Sequence, residues 1–161
     1  MAVYQLCVSF NAFCKYNFSM GKLIFTLLIS YLFISNFLYV DLKEECLIFV
    51  KPYITPSNWN AREIIQVVKN NDRESYNLMC ENINFLSKDI PLGCPYIDGG
   101  CYKPDTRNTI YVGNDMDNLA LTSAILVHEI CHLEQNLEKR PLDEPECYSK
   151  DSEFLKQIQI F

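Results

Sequence analysis

The sequence predicts an α+β fold that is mostly helical, with a small sheet or a single edge hairpin. Three observations carry this expectation. Apolar residues recur at helical spacing in two stretches, Ile64, Ile65, Val67 and Val68, then Tyr76, Met79, Cys80, Ile83 and Leu86. A third apolar stretch, Leu119 to Gln135, is long enough only for a helix. Against these stand two short runs of strand character, Leu47–Val50 and Thr109–Val112.

The elements follow in order. Residues 1–19 form a moderately apolar N-terminal segment with Cys7, Cys14 and Lys15 and no clear period. Residues 20–40 read as a transmembrane anchor or signal peptide. Leu23 to Val40 holds no charge, and as a helix it would run about 27 Å, just enough to span a bilayer. Lys15 and Lys22 precede it and Asp41, Glu44 and Glu45 follow, which places the amino terminus in the cytoplasm and the rest outside. If Met20 is the true start, the same stretch is the core of a signal peptide, although no small-x-small cleavage site lies near Val40. Both versions send residues 41–161 out of the cytoplasm, either membrane-anchored through residues 23–40 or secreted.

Within residues 41–161, Pro52 and Pro56 end the first strand. Asn60 and Glu63 form a capping box for a first helix, which Asn70, Asn71 and Asp72 break. A second helix is expected over Arg73 to Leu86. Lys88 to Asn108 is loop-like, punctuated by Pro91, Gly93, Pro95, Gly99, Gly100 and Pro104. Thr109–Val112 is then a short strand, and Gly113 to Asp115 turn the chain into the long apolar helix. After Asn136 the chain turns, and Asp143 as N-cap with Pro145 in the first turn starts a closing helix.

Length and composition limit what this chain can be. At 161 residues and 49% apolar it builds at most one globular domain with an attachment. Its net charge of -6 is unevenly spread: no acid precedes Asp41, so 12 basic and 20 acidic groups fall in residues 41–161. So acidic a domain excludes nucleic acid as a partner. Six of its eight cysteines (Cys46, Cys80, Cys94, Cys101, Cys131 and Cys147) follow the apolar segment, which suggests disulfides in an oxidising compartment. Cys94 and Cys101 are placed to staple the central loop.

The chemistry concentrates in A-I-L-V-H-E-I-C-H-L-E-Q, residues 124–135, which contains the only two histidines. His128 and His132 are four apart and therefore share a helix face, with Glu129 between them. This is H-E-x-x-H, in which two histidines bind Zn2+ and the glutamate, turned off the ligand face, takes a proton from the water that the ion activates. A catalytic zinc normally has three protein ligands, and with no third histidine the missing one is an acid or a cysteine.

Thr109 to Leu155 resembles the gluzincin type of zincin metallopeptidase, where a glutamate on a later helix completes the H-E-x-x-H site. That glutamate commonly stands in E-x-x-A-D or E-x-x-S-D. Here E-P-E-C-Y puts Glu144 in the ligand place and Cys147 in the small-residue place, with Tyr148 where an acid is usual and Glu146 as the alternative ligand. The stretch is also similar to small bacterial-type domains reading L-V-H-E-x-x-H followed by E-x-E-A-Y. Glu134 and Glu138 lie on the motif helix itself and cannot fold back onto the ion. If both helices meet at one zinc, Cys131 and Cys147 should be close, and a disulfide between them would clamp the helices together.

The resemblance implies a minimal zincin-like metallopeptidase domain over residues 41–161 that hydrolyses peptide or protein substrates. Glu129 would be its general base, Thr109–Val112 its substrate-holding edge strand, and Tyr111 or Tyr148 its oxyanion stabiliser. The alternative is a membrane-tethered, disulfide-stapled metal-binding or interaction domain without catalytic activity.

Overall fold

The structure is a computed structural model and describes residues 20–32, 34, 37–51, 61–87, 94, 99–105, 108–113 and 118–158. The chain divides into two compact units, Met1–Asn36 and Phe37–Phe161. In the first, residues 20–32 are helical (α1) and expose their apolar side chains, among them Leu23, Phe25 and Leu27. No helix among the described residues is long and apolar enough to cross a membrane. The uncharged stretch does not end where its composition does, because its last three residues belong to the second unit as part of β1, Leu38–Asp41.

The second unit is mixed α+β and mostly helical. Among the described residues its five strands are β1, β2 (Cys46–Val50), β3 (Phe85–Ser87), β4 (Gly100–Lys103) and β5 (Thr109–Val112), in the order β1-β2-β3-β5-β4. The two outer pairings, β1 with β2 and β4 with β5, are antiparallel, and the inner two are parallel. The helices are α2 (Ala61–Asn71), α3 (Arg73–Asn82), α4 (Leu119–Leu137) and α5 (Glu144–Ile158).

Strand β2 alternates as a half-buried strand should: Cys46 and Ile48 face the helices, while Leu47 and Phe49 are exposed. Ile48, Ile64, Ile65, Tyr76, Met79, Leu86, Ile110, Leu126, Ile130 and Phe154 build the core between sheet and helices. A disulfide from Cys46 to Cys80 ties β2 to α3. Asp41, at the end of β1, forms an ion pair with Lys69 and accepts a hydrogen bond from the Tyr76 hydroxyl at 2.7 Å. These contacts pin β1 to α2 and α3.

Three expectations are corrected here. The second helix stops at Asn82, where Ile83 turns to extended backbone (φ -100°, ψ 127°). Phe85–Ser87 then pairs on both sides, with Phe49 and Val50 of β2 and with Thr109 to Tyr111 of β5. Ile83 and Leu86 are both buried, so they mimicked a helical stripe, although Ile83 ends α3 and Leu86 belongs to β3. Part of the central loop is also a strand, since Gly100–Lys103 pairs with β5 despite its glycine. That pairing moves Thr109–Val112 off the edge and buries all four of its residues, making β4 the edge strand. The expected Asn60 cap lies outside the described residues.

Candidate metal centre

Helix α4 presents the motif. Asn118 caps it, its side chain accepting from the backbone amides of Ala120 and Leu121, and apolar residues bury it on most sides. Helix α5 starts where the sequence places it, at Glu144 directly after Asp143, whose carbonyl accepts the first helical bond from Cys147 at 3.3 Å. The expected Cys131–Cys147 disulfide is present and joins the two helices. Cys94–Cys101 closes the segment leading into β4.

This clamp brings together His128, His132 and Glu144, a group that could hold a metal ion. His128 Nε2 lies 3.1 Å from His132 Nε2 and 3.1 Å from Glu144 Oε2, and His132 Nε2 lies 3.4 Å from the same oxygen. An ion bound tetrahedrally at 2.0–2.1 Å has ligand atoms about 3.3 Å apart, so the spacing suits a small ion.

The far side of each ring shows which atoms are free to bind. His128 Nδ1 lies 3.1 Å from Asp151 Oδ2, and because a carboxylate only accepts, Nδ1 carries the proton. His132 Nδ1 lies 3.1 Å from Gln135 Oε1, which also accepts the Asp143 amide, so this Nδ1 carries its proton too. Both Nε2 atoms then face each other and the Glu144 carboxylate, a cluster that either a proton on one Nε2 or a metal ion held among the three atoms can join.

Glu146, the alternative ligand, takes no part. It is held by Arg140 at 2.7 and 3.1 Å and by Gln135 Nε2 at 3.0 Å, and the Arg140 guanidinium lowers its carboxyl to about 2. Glu134 pairs with Lys150, and Glu138 with Arg140.

Glu129 is 4% exposed and sits against strand β4. Burial pushes its carboxyl up to about 8, with the Tyr102 backbone amide opposing that rise and the Glu144 charge adding to it. Gly99 and Gly113 are hydrogen-bonded across the β4–β5 ladder at 2.6 Å, so by antiparallel alternation Gly100 and Tyr102 direct their backbone groups away from β5, to the outer edge of the described sheet. This is how the Tyr102 amide reaches Glu129. At Gly100 the contact is so close that a Cβ would stand 2.5 Å from Glu129 Cγ and 2.6 Å from Oε1.

A cleft of about 620 Å³ runs between β4 and the two helices, lined by Gly100, Tyr102, Ile125 and Tyr148 together with the motif residues. Of the two candidate tyrosines, Tyr148 lines this cleft, with its ring centroid 4.7 Å from that of His128, whereas Tyr111 is buried in interior strand β5.

Asp151 and Gln135 were not foreseen. Each has a faint signal, Gln135 one turn beyond His132 and Asp151 two turns beyond Glu144 on the same helix face. No protein-family model matches the sequence, and no curated protein or solved structure matches it either.

Proposed function

We propose that this protein is a zinc-dependent metallopeptidase of zincin type, acting on peptides or proteins. The observation that carries the proposal is the convergence of His128 Nε2, His132 Nε2 and a Glu144 oxygen within 3.1–3.4 Å of one another, next to the buried carboxyl of Glu129.

His128, His132 and Glu144 would hold the ion. Nitrogen and carboxylate donors in equal readiness favour zinc over calcium or magnesium, which take oxygen ligands. When bound, zinc acidifies a water and polarises the carbonyl under attack. Glu129 is the general base: its carboxyl, kept off the ligand face by Gly100 and the Tyr102 amide, accepts the water's proton and returns it to the leaving amine. A nearby cation would draw that carboxyl down from about 8, leaving it ionised and ready to accept. With the Tyr102 amide taken by Glu129, the other outward backbone groups of β4 are left for an extended peptide laid along the edge, a role moved here from Thr109–Val112. Tyr148 is the side chain best placed to stabilise the oxyanion. Three disulfides support an oxidising compartment, reached by anchoring or secretion.

The test is elemental metal content of the purified full chain, with peptide hydrolysis, for wild type, His128→Ala and Glu129→Gln. One zinc per chain is expected in wild type and Glu129→Gln and none in His128→Ala, with hydrolysis in wild type alone. Folded wild type without metal would overturn the proposal. Metal without hydrolysis would leave a metal-binding domain.

A further inference from the structure

Gln135 is fully buried, yet all of its hydrogen-bonding atoms are engaged. Its Oε1 accepts from the Asp143 backbone amide and from His132 Nδ1, each at 3.1 Å. Its Nε2 donates to the Asp143 carbonyl at 3.1 Å and to Glu146 Oε2 at 3.0 Å. The amide orientation is not arbitrary, because the Asp143 amide needs an acceptor while the Asp143 carbonyl and the Glu146 carboxylate need a donor. One side chain on α4 thus grips both backbone groups of the residue immediately before Glu144 and also sets the proton on His132.

We infer that Gln135 is a positioning residue that assembles the ligand set: it registers the start of α5 against α4 and holds His132 with Nε2 free. Disulfide Cys131–Cys147 ties the same helices but leaves rotation about its own bonds, and its Cys147 Sγ, 3.5 Å from His132 Nδ1, is a weaker acceptor for that proton than the Gln135 oxygen. Arg140, in the turn between the helices, extends the arrangement by gripping both oxygens of the Glu146 carboxylate, sharing Oε2 with Gln135. The effect on metal affinity rests on the metal-binding reading above, whereas the tautomer and the grip on Asp143 do not.

The test uses the 15N-labelled full chain, with Gln135→Leu and Gln135→Glu beside wild type, each checked for three intact disulfides. Long-range 1H–15N correlation reports the His132 tautomer, hydrogen exchange reports the Asp143 amide, and chelator competition reports zinc affinity. Wild type should show His132 protonated at Nδ1 and a slowly exchanging Asp143 amide. Gln135→Leu should mix the tautomers, speed Asp143 exchange by about tenfold or more and weaken zinc by about 10–100-fold. Gln135→Glu keeps an acceptor for His132 but loses the donor, so it should retain the Nδ1 proton and lie between the other two in zinc affinity. This rescue decides the matter even if Gln135→Leu does not fold. An unchanged tautomer and exchange rate in Gln135→Leu, or a Glu variant without the Nδ1 proton, would overturn the inference. If wild type binds no zinc while tautomer and exchange respond as expected, the metal reading falls and the positioning role stands.

Discussion

Gly100 and Glu129 are in contact across the cleft, the backbone of the edge strand pressing on the side chain of the proposed base. Any residue with a Cβ at position 100 must displace Glu129. Gly100→Ala is therefore expected to leave zinc stoichiometry unchanged while lowering kcat by about 100-fold or more, the usual contribution of a general base. Parallel measurement of bound metal and turnover checks it. Equal activity in the Ala variant would show that Glu129 does not need this seat.

Asp151 accepts from His128 Nδ1 and lies outside the proposed ligand set of His128, His132 and Glu144. Asp151→Asn should weaken zinc by about 10–100-fold without unfolding the chain. Chelator competition measures the loss. Wild-type affinity in the variant would mean that Asp151 does not orient the ring.

The Cys131–Cys147 bond closes a loop with a sequence separation of 16. A Cys131→Ala, Cys147→Ala double variant should lose about 3 kcal/mol of stability by the chain-entropy account. Urea unfolding of the zinc-free protein gives that number. Zinc affinity should fall as well, since α5 carries Glu144.

Acid sensitivity should begin at Asp41. Its hydrogen bond and ion pair with Lys69, followed by the Tyr76 hydroxyl, lower its carboxyl from 3.8 to about 2 in the folded chain. A depressed acid stabilises fully above its unfolded value and loses that contribution as pH falls through the folded one. Stability of wild type relative to Asp41→Asn should thus be constant above about pH 5 and shrink between pH 4 and 2. A difference independent of pH across that window would contradict this account.

Much of the centre was legible because its geometry is local. Four-residue spacing puts His128 and His132 on one face whatever the fold, and Asp143 with Pro145 marks a helix start by itself. From those two helices the Cys131–Cys147 bond follows. Strands β3 and β4 were not legible, because Phe85–Ser87 and Gly100–Lys103 become strands only through partners distant in the chain. Gly100 looked like a loop residue, and its reason lies in Glu129, on another element. Gln135 and Asp151 stand at suitable helical positions, but a polar residue so spaced means nothing until α4 and α5 meet.

The β1 boundary has a practical side. Removing residues 1–40 to obtain a shorter chain would delete Tyr39, which is buried and meets the Tyr76 hydroxyl at 3.1 Å. A chain beginning at Asp41 should be less stable by about 2 kcal/mol or more than one beginning at Phe37. Equal melting temperatures would refute this.

The three proposed ligands and both of their outer partners fall between His128 and Asp151, on one helical hairpin. The seat of Glu129, by contrast, depends on β4, which depends in turn on β5 and the sheet. Short-range contacts close with little loss of chain entropy, and long-range strand pairing comes later. On the proposed reading, a nascent chain would acquire the capacity to capture zinc before the capacity to cut, a built-in delay that would spare its own unfolded segments.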